Sequence, residues 1–361
     1  MDRIVKIGII GCGGIANGKH MPSLKKVPNA QMVAFCDIIP ERAEKAAKEY
    51  GTADAKVYTD YKELLKDPEI EVVHVLTPNR EHADITIDAL HAGKHVMCEK
   101  PMAKTAADAK RMLDAAKETG KKLTIGYQHR QKPSAQYAKQ YIEEGNLGDI
   151  YYVNTYAIRR RGTPNWGVFL NEEEQGGGPI IDILTHSLDL TLYLMNNYEP
   201  RLVVGKTHKK LEHPEAGNIW GDDGVSTTPL EEAAAAYVEM KNGATLLLET
   251  SWALNTEAPM PEGSVRLCGS KGGLSILKDK LVLNKVELNR QVDTTVDLSA
   301  GGVAFFDGAS ASPAETEAYN WIKAITDDTE PIVKPEQAYV VSQILEAIYQ
   351  SSKTGQPVIF D

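Results

Sequence analysis

Short runs of unbroken apolar residues alternate with helical stretches through the first third of the chain. Residues 6–10, 31–36, 72–76, 95–98 and 123–127 are such runs, the pattern of strands buried on both faces. Between them, 43–50, 61–66, 82–92 and 106–119 read as helices. Strands separated by helices in this rhythm predict right-handed crossovers and a doubly wound parallel sheet. The pattern changes beyond residue 130. Residues 134–145 predict a helix stopped at Gly145-Asn146-Leu147-Gly148, and 150–156 alternate with period two, placing Tyr152, Asn154 and Tyr156 on one face. Residues 234–240 and 245–252 flank Asn242-Gly243 and predict a β-hairpin. Stretches 265–269, 273–276 and 280–283 extend that sheet, 315–325 and 335–352 predict closing helices, and 357–359 a last strand. The polar stretch 208–228 reads as a long loop or lid.

The first apolar run leads directly into Gly11-Cys12-Gly13-Gly14-Ile15-Ala16. In such a loop the first glycine makes the tight turn, the second lets backbone approach a pyrophosphate, and a small third residue lets helix pack on strand. The second run ends at Asp37, where an acid that binds the ribose of NAD and repels the 2′-phosphate of NADP belongs; a plain helix cap ahead of Pro40 is the other reading. Thr77-Pro78-Asn79 and Glu99-Lys100-Pro101 follow the ends of later strands, the edge at which open parallel sheets bind ligands. Tyr127, Gln128, His129 and Arg130 collect on the same edge, with Tyr127 and Arg130 expected on the substrate side. Lys100 is either a solvated charge or a donor to a substrate hydroxyl.

A second constellation follows Gly176-Gly177-Gly178-Pro179. Asp182 and His186 stand four apart on one stripe of an apolar helix, with Asp189 a turn further on. The pair is either an ordinary ion pair or a histidine backed by a carboxylate for proton transfer near neutral pH. The glycines would let backbone pass close to a ligand.

Composition narrows the partners. A chain of 361 residues exceeds one typical core, so two domains are expected, over 1–128 and 129–361, with the C-terminal segment free to pack back on the first. Hydrophobic content of 42% and charged content of 25% are those of a globular protein, and a net charge of −10 argues against nucleic acid or anionic membrane. No apolar run has membrane-spanning length, and the N-terminus enters a strand with no leader pattern, so a cytoplasmic protein is expected. Cys12, Cys36, Cys98 and Cys268 are scattered and read as small hydrophobes rather than disulfides or a zinc site.

In this order, the Gly11–Ala16 loop, Thr77-Pro78-Asn79, Glu99-Lys100-Pro101 and the 176–186 segment resemble the Gfo/Idh/MocA oxidoreductases over essentially the whole chain. The resemblance implies an α/β Rossmann N-terminal domain and an α+β C-terminal domain built on an open, mostly antiparallel sheet. It implies Lys100, Asp182 and His186 as the catalytic group, and the glycine loop, Asp37, Asn79, His82, Glu99 and Gln128 on the NAD side. The 159–167 segment is similar to a branch acting on sugars and glycosides. Arg159, Arg160 and Arg161 are then either a solvated edge or, through Arg159 and Arg161, a clamp for substrate oxygens; Trp166 is either a platform for a sugar ring or a loop anchor.

The expected activity is NAD-dependent oxidation of a secondary hydroxyl on a sugar, glycoside or cyclic polyol. His186 acts as base, Lys100 stabilises the alkoxide, and Asp182 orients His186 or binds substrate alongside Tyr156. Two alternatives stand beside it: an NAD-dependent glycosidase that oxidises C3 transiently, and a silent NAD-binding regulator. No metal is expected. Association into a homodimer or homotetramer through the second sheet is.

Overall fold

The computed structural model describes residues 3–257, 259–298 and 312–360. The chain divides into two compact units, 1–131 with 310–339, and 132–309 with 340–361.

In the first unit, β1 (Val5–Ile10), β2 (Ala30–Cys36), β3 (Lys56–Tyr58), β4 (Val72–Val75), β5 (His95–Cys98) and β6 (Leu123–Ile125) form a parallel sheet in the order β3-β2-β1-β4-β5-β6. The strand order reverses between β1 and β4, which opens a crevice beyond their carboxyl ends. Every residue of β4 is buried, as the unbroken apolar run requires. The helices start and stop where local chemistry directs. Thr105 caps Ala106–Thr119 by accepting from the Asp108 amide, and Gly120 ends it in the left-handed conformation at φ 64°. The helix Pro313–Thr326 opens on a capping box between Ser312 and Glu315. Its Ala318, Trp321, Ile322 and Ile325 pack in one core with Val5, Ile7, Ile9 and Met21. The first unit is therefore completed by a segment that follows residues 132–309 of the second unit in sequence.

Three histidines of this unit are held neutral. Burial pushes His74 far below its ordinary value, a direction reinforced by the charges of His20 and Lys19. Burial likewise lowers His82 against the pull of two carbonyls, and lowers His95 to about 4. In the unfolded chain these groups take protons near pH 6.5, so below that value the unfolded state binds more protons than the folded one. Stability is therefore expected to fall as pH drops from about 7 to about 5. Glu231, raised by burial, works the other way over the carboxylate range and is outnumbered. Thermal melts across that interval check this, and a melting temperature that rises on acidification would contradict it.

The second unit is built on β7 (Ile150–Ile158), β8 (Pro200–His208), β9 (Ala233–Met240), β10 (Thr245–Ser251), β11 (Met260–Gly269), β12 (Gly273–Leu277), β13 (Lys280–Glu287), β14 (Arg290–Thr295) and β15 (Val358–Ile359). Their order is β14-β13-β12-β11-β7-β10-β9-β8-β15. Neighbours run antiparallel except β7 and β10, so the sheet is mixed, as an open and mostly antiparallel sheet allows. The hairpin β9–β10 turns at Gly243, φ 86°. The helix Thr185–Met195 is sewn to the sheet by short polar side chains. Ser187 Oγ donates to the Tyr156 carbonyl and accepts from the Gly263 amide, while Thr191 and Thr155 bond through their hydroxyls at 2.7 Å. Among the described residues no helix is long and apolar enough to cross a membrane.

Candidate active site

The glycine loop leaves β1 at its carboxyl end. Gly11 has φ 91°, and a Cβ there would stand 2.6 Å from the Leu76 carbonyl oxygen, so only glycine fits the turn. Over Gly13 and Gly14 an added Cβ would meet nothing within 4 Å, and Ile15 is exposed, while Ala16 is fully buried against the core. The loop thus presents open backbone on one side and close packing on the other, the cradle a pyrophosphate needs. Asn17 locks it, its Nδ2 donating to the Cys12 and Gly13 carbonyls at 2.8 Å. Asp37 closes the far side, accepting from the Cys12 amide at 2.8 Å and the Ile39 amide at 2.9 Å. It therefore ties the loop to the strand end.

Thr77 and Pro78 leave β4 beside this loop, and Asn79 is buried at the start of the turn that follows. His82 is fully buried between two turns, its Nδ1 2.9 Å from the Pro101 carbonyl and its Nε2 3.0 Å from the Thr77 carbonyl, and the one N–H of the neutral ring donates to one of them. Expected on the NAD side, it lies between the Thr77 and Pro101 segments.

Glu99 likewise turns inward. Its Oε1 lies 2.7 Å from Lys19 Nζ and 2.7 Å from His20 Nε2, and its Oε2 accepts from the Lys100 amide at 3.0 Å. Lys19 also reaches Glu317 at 3.0 Å, and His74 stacks edge-on to His20. Burial opposes both charges, yet Glu317 and Glu99 hold Lys19 above its ordinary range, and Lys19 with His20 holds Glu99 well below its own. This buried cluster anchors the strand end that carries Lys100, which is half-buried. Nothing in the sequence marked it, because its members lie up to 298 residues apart in number, Lys19 against Glu317.

Gln128, half-buried, begins the turn Gln128–Gln131. Tyr127 and Arg130, expected on the substrate side, are both buried in the first unit. The Arg130 guanidinium donates to the Ile332 carbonyl at 2.9 Å and Gln337 Oε1 at 2.7 Å, an internal brace for the returning segment.

In the second unit, Asp182 sits in a π-helical turn, Ile180–Leu184, and His186 in the first turn of the helix that follows. Widened turns of this kind recur at functional sites. Asp182 Oδ2 accepts from Trp252 Nε1 at 3.0 Å and lies 3.8 Å from Arg159 Nη1. His186 and Asp189 are buried. The glycines ahead of this turn serve packing rather than ligand approach. A Cβ on Gly177 would stand 2.0 Å from Tyr349 Oη, and one on Gly178 2.8 Å from the Glu231 carbonyl oxygen. Into that space Glu231 brings a carboxylate that accepts from the Gly178 amide at 3.1 Å and the Ile180 amide at 3.4 Å, and from Tyr349 Oη at 2.6 Å. It caps the helix that no local side chain caps, and burial raises its pKa.

Arg159 joins several of these groups. It donates to the Gly162 carbonyl at 3.1 Å and pairs with Glu262 at 2.5 Å, and its guanidinium carbon lies 5.5 Å from the centre of the Trp220 ring. A cavity of about 470 Å³ opens beside it, lined in part by Ala157, Ile183, Pro261, Glu262 and Lys278. Tyr156, half-buried, lies on the same strand, β7. Arg161 points into the neighbouring loop, donating to the Ala216 carbonyl at 3.1 Å and to Asn255 Oδ1 at 2.6 Å. Trp166 is 49% exposed, and its covered side meets Phe169, which packs on the small core around Trp252. Lys100 thus belongs to the first unit, and Asp182, His186, Arg159 and Trp166 to the second. Among the described residues no three His, Cys, Asp or Glu side chains cluster to hold a metal ion.

Comparison with known proteins gives matches along nearly the full length. Residues 5–127 match a family model described as an oxidoreductase family with an NAD-binding Rossmann fold, and 139–360 match the C-terminal alpha/beta domain of the same family. D-glucoside 3-dehydrogenase of Escherichia coli is 32% identical over 354 residues, covering 98% of this chain and 97% of that one. Levoglucosan dehydrogenase of Pseudarthrobacter phenanthrenivorans is 33% identical over 207 residues, covering 54% and 52%. Among solved structures, a levoglucosan dehydrogenase in complex with NADH and levoglucosan superposes with a TM-score of 0.85 over 99% of both chains at 24% identity, a likeness of fold.

Proposed function

The chain belongs to the Gfo/Idh/MocA family of NAD-binding oxidoreductases, and from that premise we propose that it oxidises a secondary hydroxyl of a sugar, glycoside or cyclic polyol, foremost C3 of a glucoside. The observation that carries the reading is the Asp182 carboxylate, held by Trp252 and Arg159 four residues ahead of His186, in a chain similar to a D-glucoside 3-dehydrogenase over 98% of its length.

Gly11, Gly13, Gly14, Ile15, Ala16 and Asp37 would hold NAD, which when bound supplies the hydride acceptor. The remaining chemistry belongs to the chain's own side chains. His186 takes the hydroxyl proton on a ring nitrogen, as a general base working near neutral pH. Lys100 donates an ammonium N–H to the same oxygen and stabilises the negative charge that grows there. Asp182 is fixed by the indole N–H of Trp252, so it offers an oriented acceptor to His186 or to a sugar hydroxyl.

Purified protein incubated with NAD and a panel of inositols, free sugars, glucosides and nucleotide sugars tests the proposal. NADH is expected to accumulate with glucosides, in proportion to 3-keto product. Sugar release without NADH build-up, or no turnover across the panel, would overturn it.

A further inference from the structure

We propose that Trp166 and Trp220 form a second subsite, which holds the ring attached to the glucose being oxidised, so that the preferred substrate is a glycoside with a pyranose aglycone. This rests on the function proposed above and specifies its substrate.

Two large indoles stand open to solvent side by side, Trp166 at 49% and Trp220 at 40% exposure. They come from separate loops, yet their ring centres are 4.8 Å apart at an interplanar angle of 83°. Phe169 supports Trp166 from 5.5 Å at 65°. In an edge-to-face pair the contact uses the face of only one ring, which leaves broad π surface for a ligand.

The pair is built in advance of any ligand. Asn218 Oδ1 accepts from the Thr163 amide at 2.9 Å, and its Nδ2 donates to the Thr163 carbonyl at 3.0 Å and the Gly221 carbonyl at 2.7 Å. Asn165 Nδ2 donates to the Trp220 carbonyl at 2.8 Å, and Arg161 reaches Ala216 on the same loop. The stretch expected to be a long loop or lid is thus bonded to the 161–166 segment. Loops fixed in this way lose little entropy when a ligand arrives.

Its position ties the pair to the chemistry. The Arg159 guanidinium lies 5.5 Å from the centre of the Trp220 ring and, through Nη1, 3.8 Å from Asp182 Oδ2. One guanidinium thus neighbours both Trp220 and the candidate catalytic carboxylate. The surroundings are polar, with Asn165 bonded to the Trp220 carbonyl, Arg161 to the Ala216 carbonyl, and Arg159 beside the Trp220 ring. An aromatic face with polar groups at its edges suits a pyranose, which offers axial C–H bonds to the ring and hydroxyls to the rim.

The test compares cellobiose and maltose with methyl glucoside as substrates of the wild type, Trp166→Ala, Trp220→Ala and Trp220→Tyr. In the alanine variants the ratio of kcat/KM for the better disaccharide to that for methyl glucoside is expected to fall about tenfold, chiefly through KM. Trp220→Tyr, which keeps an aromatic face, recovers most of the loss. Calorimetric titration of that disaccharide into the NADH-loaded full chain supplies a readout independent of turnover, with the same order of affinities expected. An unchanged ratio and unchanged affinity in both alanine variants would overturn the subsite while leaving the oxidation reading intact. Disaccharide binding that weakens in the alanine variants of a chain with no turnover would uphold the subsite and overturn the oxidation reading.

Discussion

His186→Ala and Lys100→Met are each expected to lower kcat about a thousandfold while NADH still binds. Removing a general base costs about 10² to 10⁴ in rate, and loss of a donor aimed at a developing oxyanion costs about as much. Neither change alters the glycine loop or Asp37. The glycine loop is shaped by Gly11 against Leu76 and by the side chain of Asn17, and Asp37 is held by the Cys12 and Ile39 amides. His186 lies in the other unit altogether. Fluorescence titration with NADH separates binding from chemistry. Turnover within about tenfold of wild type in either variant would remove that residue from the proposed roles.

Lys19→Met is expected to destabilise the protein by about 3–5 kcal/mol, the usual consequence of leaving a buried charge without its partner. The Lys19 ammonium lies between Glu99 at 2.7 Å and Glu317 at 3.0 Å, and all three side chains are buried. Methionine matches the stem but takes the ammonium away from two buried carboxylates. Adding Glu317→Gln to Lys19→Met removes one of them, so the double variant is expected to recover part of the loss, a coupling that a double-mutant cycle measures. Because Glu99 Oε2 accepts from the Lys100 amide, activity should fall with stability. Denaturant unfolding gives the free energies, and a single-variant change below about 1 kcal/mol would show that the cluster does not hold this edge together.

Which elements were legible follows from where their side chains point. Strands β1, β2, β4, β5 and β6 announce themselves because burial on both faces demands unbroken apolar runs. β3, β8 and β14 lie at or near sheet edges, with many exposed positions, and carry no such run. The parallel pairing of β7 with β10 is also hidden, since periodicity reports which face is buried and not which strand lies alongside. At the candidate site, the glycine loop is readable because its backbone geometry admits few residues. Its supports are not: Trp252 meets Asp182 across 70 positions, and Glu231 meets Gly178 across 53. The glycines of 176–178 show the cost of reading residue type alone. Their freedom suggested close approach to a ligand, whereas Gly177 and Gly178 make room for Tyr349 and Glu231. Arg130 gives the same lesson, a charge at a ligand-binding edge that faces Ile332 and Gln337.

Transfer of deuterium from C3 of a glucoside to the cofactor is the most direct measurement of the proposed reaction. With glucoside deuterated at C3 and unlabelled NAD, the reduced cofactor should carry the label at C4 of its nicotinamide, and the sugar should emerge as the 3-ketone. Reduced cofactor free of label, or label retained in the sugar product, would contradict oxidation at that carbon.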